Sequence, residues 1–137
     1  MDIIPTPQPT PTPTPPPAPP VPVPPLPKET ITQIITRVCK ENGIEPELGI
    51  AVAYCESGLD PKSTMHNKNG SIDRGIFQWN NRVFPAITDV EAYDPEKATS
   101  FFCSAIKGGH LHGYWYLSEP CWKKRLSAEI LKKYNIT

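Results

Sequence analysis

Fourteen of the nineteen prolines in this 137-residue chain fall within residues 5–27. Proline fixes φ and lacks a backbone N–H, so it supports neither helix interiors nor central strands. The run Pro5-Thr6-Pro7-Gln8-Pro9-Thr10-Pro11-Thr12-Pro13 has few side chains that could bury apolar surface and offset the entropy of ordering. Residues 1–27 are therefore expected to form a disordered Pro/Thr-rich linker of polyproline II character. At about 3.1 Å per residue, ~25 such residues span roughly 75 Å when extended. Folding is left to residues 28–137, which are enough for one hydrophobic core.

Fourteen basic and fourteen acidic residues give a net charge of zero. No basic block interleaves with aromatics, so nucleic acid is not an expected partner. No apolar run is long enough for a membrane span, and the N-terminus has neither the basic nor the apolar region of a signal peptide. Four cysteines, Cys39, Cys55, Cys103 and Cys121, allow three pairings. Two disulfides stand against four buried thiols in a reducing compartment. No C-x-x-C motif occurs, and His110-Leu111-His112 lacks further ligands, so neither metal nor cofactor is expected.

Within the domain, Thr30-Ile31-Thr32-Gln33 has the form of a capping box. Ile31, Ile34, Ile35, Val38 and Cys39 then recur at helical spacing up to Gly43. Pro46 opens a second helix whose stretch Leu48–Cys55 is apolar nearly all round, so it should be buried on most sides. Ser57-Gly58 stops it, which leaves Glu56 at its end. Asn69-Gly70 marks the tip of an antiparallel hairpin over residues 63–74, with Asp73 on the return strand. Asp94-Pro95-Glu96 starts a third helix that ends at Gly108-Gly109. Gly113-Tyr114-Trp115-Tyr116 is expected to be an aromatic loop. Trp122, Leu126, Ile130, Leu131 and Tyr134 are spaced for one final amphipathic helix. The fold class is mainly α (α+β), a helical domain with a small hairpin beside the helix that bears Glu56.

Glu56 and Asp73 sit in contrasting surroundings. A helix C-terminus and an apolar setting both disfavour a carboxylate charge, so Glu56 is expected to hold its proton unusually well. Asp73, on a hairpin, is expected to stay ionised. An acid and an anion placed in this way are what glycosidic cleavage requires. Asp73 could instead bond backbone groups or Arg74. Asn67 is expected to contact sugar or orient Asp73, and Gln78 and Asn80 to line the cleft. Gln78 has a structural alternative, an amide that ties the hairpin to the core. Trp115 is the expected sugar platform, and Trp79 is expected to be buried.

Cys55-Glu56-Ser57-Gly58 followed by Asn67-Lys68-Asn69-Gly70-Ser71-Ile72-Asp73-Arg74-Gly75-Ile76-Phe77-Gln78-Trp79-Asn80 resembles the active-site segment of c-type lysozymes. Asp73 follows Glu56 by seventeen positions, the spacing of that family's two catalytic carboxylates. The Glu-Ser-Gly start, the Gly75-x-x-Gln78 step and the later Trp115 and Cys121-Trp122 are also similar to bacterial and phage lytic transglycosylase domains of the SLT type. The likeness covers roughly residues 30–122. The eight-cysteine pattern of c-type lysozymes is absent. The resemblance implies a lysozyme-like fold and cleavage of the β-1,4 bond between N-acetylmuramic acid and N-acetylglucosamine in peptidoglycan strands. It further implies a monomer acting in the cell envelope or on a phage particle. Glu56 would be the acid, with Asp73 as nucleophile or electrostatic partner. A glycan-binding module without catalysis, and a phage structural protein that opens the wall locally, are the alternatives.

Overall fold

The architecture comes from a computed structural model, which describes residues 3–22 and 27–137. Residues 3–22 are exposed and contain no helix or strand. The parts of the proline-rich tract at residues 1–2 and 23–26 lie outside the described residues.

The capping box forms as the sequence suggests. Thr30 Oγ1 accepts the Gln33 N–H at 3.2 Å, and Gln33 Oε1 accepts the Thr30 N–H at 2.9 Å. Helix α1 (Ile31–Glu41) then buries Ile35, Val38 and Cys39. Helix α2 (Pro46–Ser57) buries Leu48, Gly49, Ala51, Val52 and Ala53. A Cβ on Gly49 would stand 2.9 Å from Cys39 Sγ and from Ile35 Cγ2, so the absent side chain is what lets α1 pack closely on α2.

The hairpin is present as strands β1 (Thr64–His66) and β2 (Ile72–Arg74), paired antiparallel with Met65 opposite Asp73. A third strand, β3 (Trp79–Asn80), extends the sheet on the other side of β2 and puts Asn80 opposite Asp73. Strand β3 leaves no pattern in the sequence, because two residues are too few for an alternation. The return from β2 to β3 depends on Gly75. Its φ is +76°, and a Cβ there would run into the Ala92 carbonyl oxygen.

Two further helices follow. Helix α3 (Asp89–Tyr93) carries its own capping box, Thr88 with Glu91, and was not anticipated. Helix α4 (Pro95–Lys107) is capped by Asp94, whose carboxylate accepts the N–H groups of Glu96 and Lys97. It packs Phe102, Cys103, Ala105 and Ile106 into the core, with Phe102 stacked on Phe77 at 4.4 Å. Burying a phenylalanine or isoleucine side chain such as Phe102 or Ile106 stabilises a fold by roughly 1.5–3 kcal/mol.

Two expectations for the C-terminal part need correction. The aromatic stretch is not a loop: Leu111–Trp115 forms helix α5, and Tyr116–Ser118 continues as a 3₁₀ turn. The single final helix is in fact two, α6 (Glu119–Lys123) and α7 (Ala128–Lys133). The break comes from a contact across the domain. Ser127 caps α7, and the Glu47 carboxylate takes both the Ser127 N–H at 2.8 Å and its hydroxyl at 3.1 Å. The cysteines divide between the two expectations. Cys55 and Cys121 form a disulfide joining α2 to α6. Cys39 and Cys103 remain thiols, with sulfurs 3.8 Å apart where α1 meets α4.

Candidate active site

Glu56 is the penultimate residue of α2 and is partly buried. The last turn of α2 has no basic residue to offset a charge there. Burial pushes the Glu56 carboxyl up to about 7. A hydrogen bond from Ser118 opposes that rise, and the negative charge of Asp73 adds to it. The Ser118 hydroxyl donates to Glu56 Oε1 at 3.1 Å. A carboxyl that titrates near neutrality can both give up and take back a proton at physiological pH. Ser118 was missed in the sequence. It lies 62 residues from Glu56, in a segment with no local pattern that points back to α2.

Asp73 is held from both sides. Asn67 Nδ2 donates to its Oδ2 at 3.1 Å, and Asn80 Nδ2 donates to its Oδ1 at 2.8 Å. Both amides also donate to the Ser71 hydroxyl, at 3.1 and 3.0 Å. That hydroxyl is buried and gives its own hydrogen to Asn69 Oδ1 at 2.6 Å. The result is a carboxylate fixed by two amide donors, which are themselves fixed by a buried serine. The Asn67 amide thus lies against Asp73, the placement that one of its two expected roles requires. Asn80 does the same from β3, and its Oδ1 accepts the N–H groups of Arg82 and Val83.

Arg74 is not a partner of Asp73. Its guanidinium is buried on the other face of the strand. There it donates to the carbonyls of Trp79 and Ile87, each at 2.9 Å, and to Asp89 at 3.0 Å.

Two expected substrate contacts have other work. Gln78 Nε2 donates to the carbonyls of Gly75 at 2.8 Å and Ser63 at 3.2 Å, so its amide ties the turn to the hairpin. Trp115 is 3 % exposed. Its indole N–H donates to the Phe77 carbonyl at 3.1 Å, and its ring meets Phe77, Trp79 and Phe102. Its faces are covered, so it cannot serve as a sugar platform. The next residue, Tyr116, is 60 % exposed and stands two positions from Ser118. Trp79 is buried as expected, with its N–H on the Ala98 carbonyl.

Hollows of about 380 Å³ and 250 Å³ lie elsewhere on the domain, and neither is lined by Glu56 or Asp73. His110 stacks on Tyr114, and His112 lies 3.3 Å from Glu119. Among the described residues, no group of three or more His, Cys, Asp or Glu side chains is placed to hold a metal.

A family profile described as a lysozyme-like domain matches residues 36–115, more than half of the chain. No curated protein matches it. The matched stretch includes Glu56 and the three-stranded sheet. It ends before Ser118 and Cys121.

Proposed function

The chain belongs to the lysozyme-like domain family, and from that premise we propose that it cleaves the β-1,4 bond between N-acetylmuramic acid and N-acetylglucosamine in peptidoglycan strands. At the family level the fold is tied to peptidoglycan-directed glycosidase and transglycosylase activity. The assignment of roles to residues in this chain is our inference.

The observation that carries the proposal is the placement of Glu56 at a helix end, partly buried, where burial pushes its carboxyl up to about 7. In the proposed reaction Glu56 gives its hydrogen to the glycosidic oxygen. The bond from C1 to that oxygen breaks, and its electron pair stays on the departing sugar. Positive charge then develops at C1 and the ring oxygen. The Glu56 carboxylate next takes a hydrogen from the attacking hydroxyl, which belongs to water or to the sugar's own C6. Water gives hydrolysis, and the C6 hydroxyl gives a 1,6-anhydro product.

The clamp on Asp73 favours the hydrolytic route. Its two amide donors hold the carboxylate aimed, with no reorganisation needed when charge appears on the sugar. Tyr116 is proposed as the exposed ring that a sugar face meets, in place of Trp115. The Cys55–Cys121 disulfide supports action in an oxidising setting such as the cell envelope.

Mass spectrometry of soluble products from purified peptidoglycan, digested by the full chain and by Glu56→Gln, tests the proposal. Reducing-end muropeptides that depend on Glu56 are expected. Products lighter by one water would replace hydrolysis with the transglycosylase route. Equal product from Glu56→Gln would remove the carboxyl from its assigned role.

A further inference from the structure

Ser118 has one hydroxyl hydrogen and two acceptors within reach. Glu56 Oε1 is 3.1 Å away, and the Trp115 carbonyl is 3.3 Å away. The second acceptor already has a donor, because the Trp122 indole N–H reaches the same carbonyl at 3.1 Å. Trp122 is fully buried and its neighbour Cys121 is bonded to Cys55, the residue before Glu56. The turn that bears Ser118 is thus fixed on the acid from both ends. Trp122 already occupies one lone pair of that carbonyl, and the serine hydrogen lies closer to the carboxyl, which becomes the stronger acceptor once it is ionised.

We propose that Ser118 is a positioning residue for the acid: by donating to Oε1 it makes that oxygen the acceptor and leaves Oε2 to carry the hydrogen that is transferred. This rests on Glu56 being the acid of the proposed reaction. The contact also strengthens as the reaction proceeds. A hydroxyl donates weakly to a neutral carboxyl and strongly to a carboxylate, and the acid becomes a carboxylate as its hydrogen leaves. An interaction that grows toward the transition state raises turnover rather than substrate affinity.

Charged groups reach α2 from β2 and from α6: α6 carries Glu119 and Lys123, and Arg125 just beyond it covers the Tyr54 ring of α2. Asp73 on β2 raises its pKa. On the side of Ser118, His112 and Glu119 lie 3.3 Å from each other. Helices α1 and α4 meet α2 through the buried apolar core. The serine contact opposes burial and the Asp73 charge, so its loss moves the Glu56 pKa upward. The residue lies outside the stretch matched to the family profile, so the assignment depends on this chain's own geometry.

The test compares the full chain with Ser118→Ala and Ser118→Thr. Two readouts are taken: the pH dependence of peptidoglycan cleavage, and ¹³C NMR titration of the glutamate carboxyls with Glu56 assigned through Glu56→Gln. For Ser118→Ala, kcat is expected to fall about tenfold with KM little changed. The alkaline limb and the Glu56 titration should both rise by about one pH unit. Ser118→Thr keeps a hydroxyl and should restore both. An unmoved titration and alkaline limb in Ser118→Ala would overturn the proposal. So would a threonine variant that melts like the wild type yet titrates like the alanine one. If the wild type cleaves no glycan, the proposed function fails on its own, and the NMR titration still decides whether Ser118 governs Glu56.

Discussion

Replacing Glu56 by glutamine should destroy activity and, above neutral pH, make the domain more stable. In the unfolded chain this carboxyl ionises near its ordinary value of 4.5, whereas in the folded domain it does so at about 7. Unfolding therefore releases a proton between those two values, and stability falls as pH rises through that window. The shift spans about two and a half pH units, and about 1.36 kcal/mol attaches to each. The full cost of ionising Glu56 in place is thus about 3 kcal/mol, and about 2 kcal/mol after allowance for its partial exposure. Glutamine has nearly the same shape, can still accept from Ser118, and never ionises. Urea unfolding of both proteins from pH 4 to pH 8.5 isolates the effect, because every other group titrates alike in the two. The difference in unfolding free energy should rise by about 2 kcal/mol from pH 4 to a plateau above pH 7.5. A difference that is flat with pH would show that Glu56 titrates as an ordinary surface carboxylate, and the argument for it as a neutral-pH acid would collapse. Activity of Glu56→Gln above a few per cent of wild type would refute the chemical half.

Asp73→Asn keeps the shape but removes the charge, and should cost about 10²–10³ in kcat if hydrolysis is the route; a loss within threefold, measured on the same peptidoglycan, would favour the 1,6-anhydro route with Glu56 as its sole carboxyl. The disulfide spans 66 residues, so a Cys55→Ser/Cys121→Ser protein should lose about 4 kcal/mol. Its melting temperature should drop by roughly 15–25 °C in calorimetry. Trp115→Ala should lose about 3–5 kcal/mol of stability. Tyr116→Ala should stay within about 0.5 kcal/mol of wild type yet raise KM several-fold. The reverse pattern would return the sugar platform to Trp115.

What could be read from the sequence was what depends on neighbours along the chain. Glu56 stood out because a helix stop and an apolar run flank it directly. Asp73 stood out because Asn69-Gly70 fixes a turn four residues earlier. The roles of Asn67, Gln78 and Trp115 needed three dimensions. Asn67 could equally face sugar or Asp73 until Ser71 was seen to hold its amide. Gln78 adopts a φ of +54°, which turns its side chain back to the carbonyls of Gly75 and Ser63. Trp115 was expected in a loop because Gly113 weakens the helical pattern, but burial of the indole against Phe77 and Phe102 overrides that preference. The break before Ser127 was hidden because its cause, Glu47, lies 80 residues away.

Arg74 has a consequence for how the sheet finds its place. A three-residue strand with little apolar surface has weak grounds for preferring one alignment over the next. The buried guanidinium supplies them, because only one residue of β2 can reach the carbonyls of Trp79 and Ile87. Slip the strand by one position and either the isoleucine-facing slot is left with unmet carbonyls or an aspartate is forced among them. Since successive side chains point to opposite faces, seating the arginine inward commits Asp73 outward, beneath the two asparagines. Arg74 thus acts as an indexing pin: it decides which tooth of the strand is seated in the asparagine clamp.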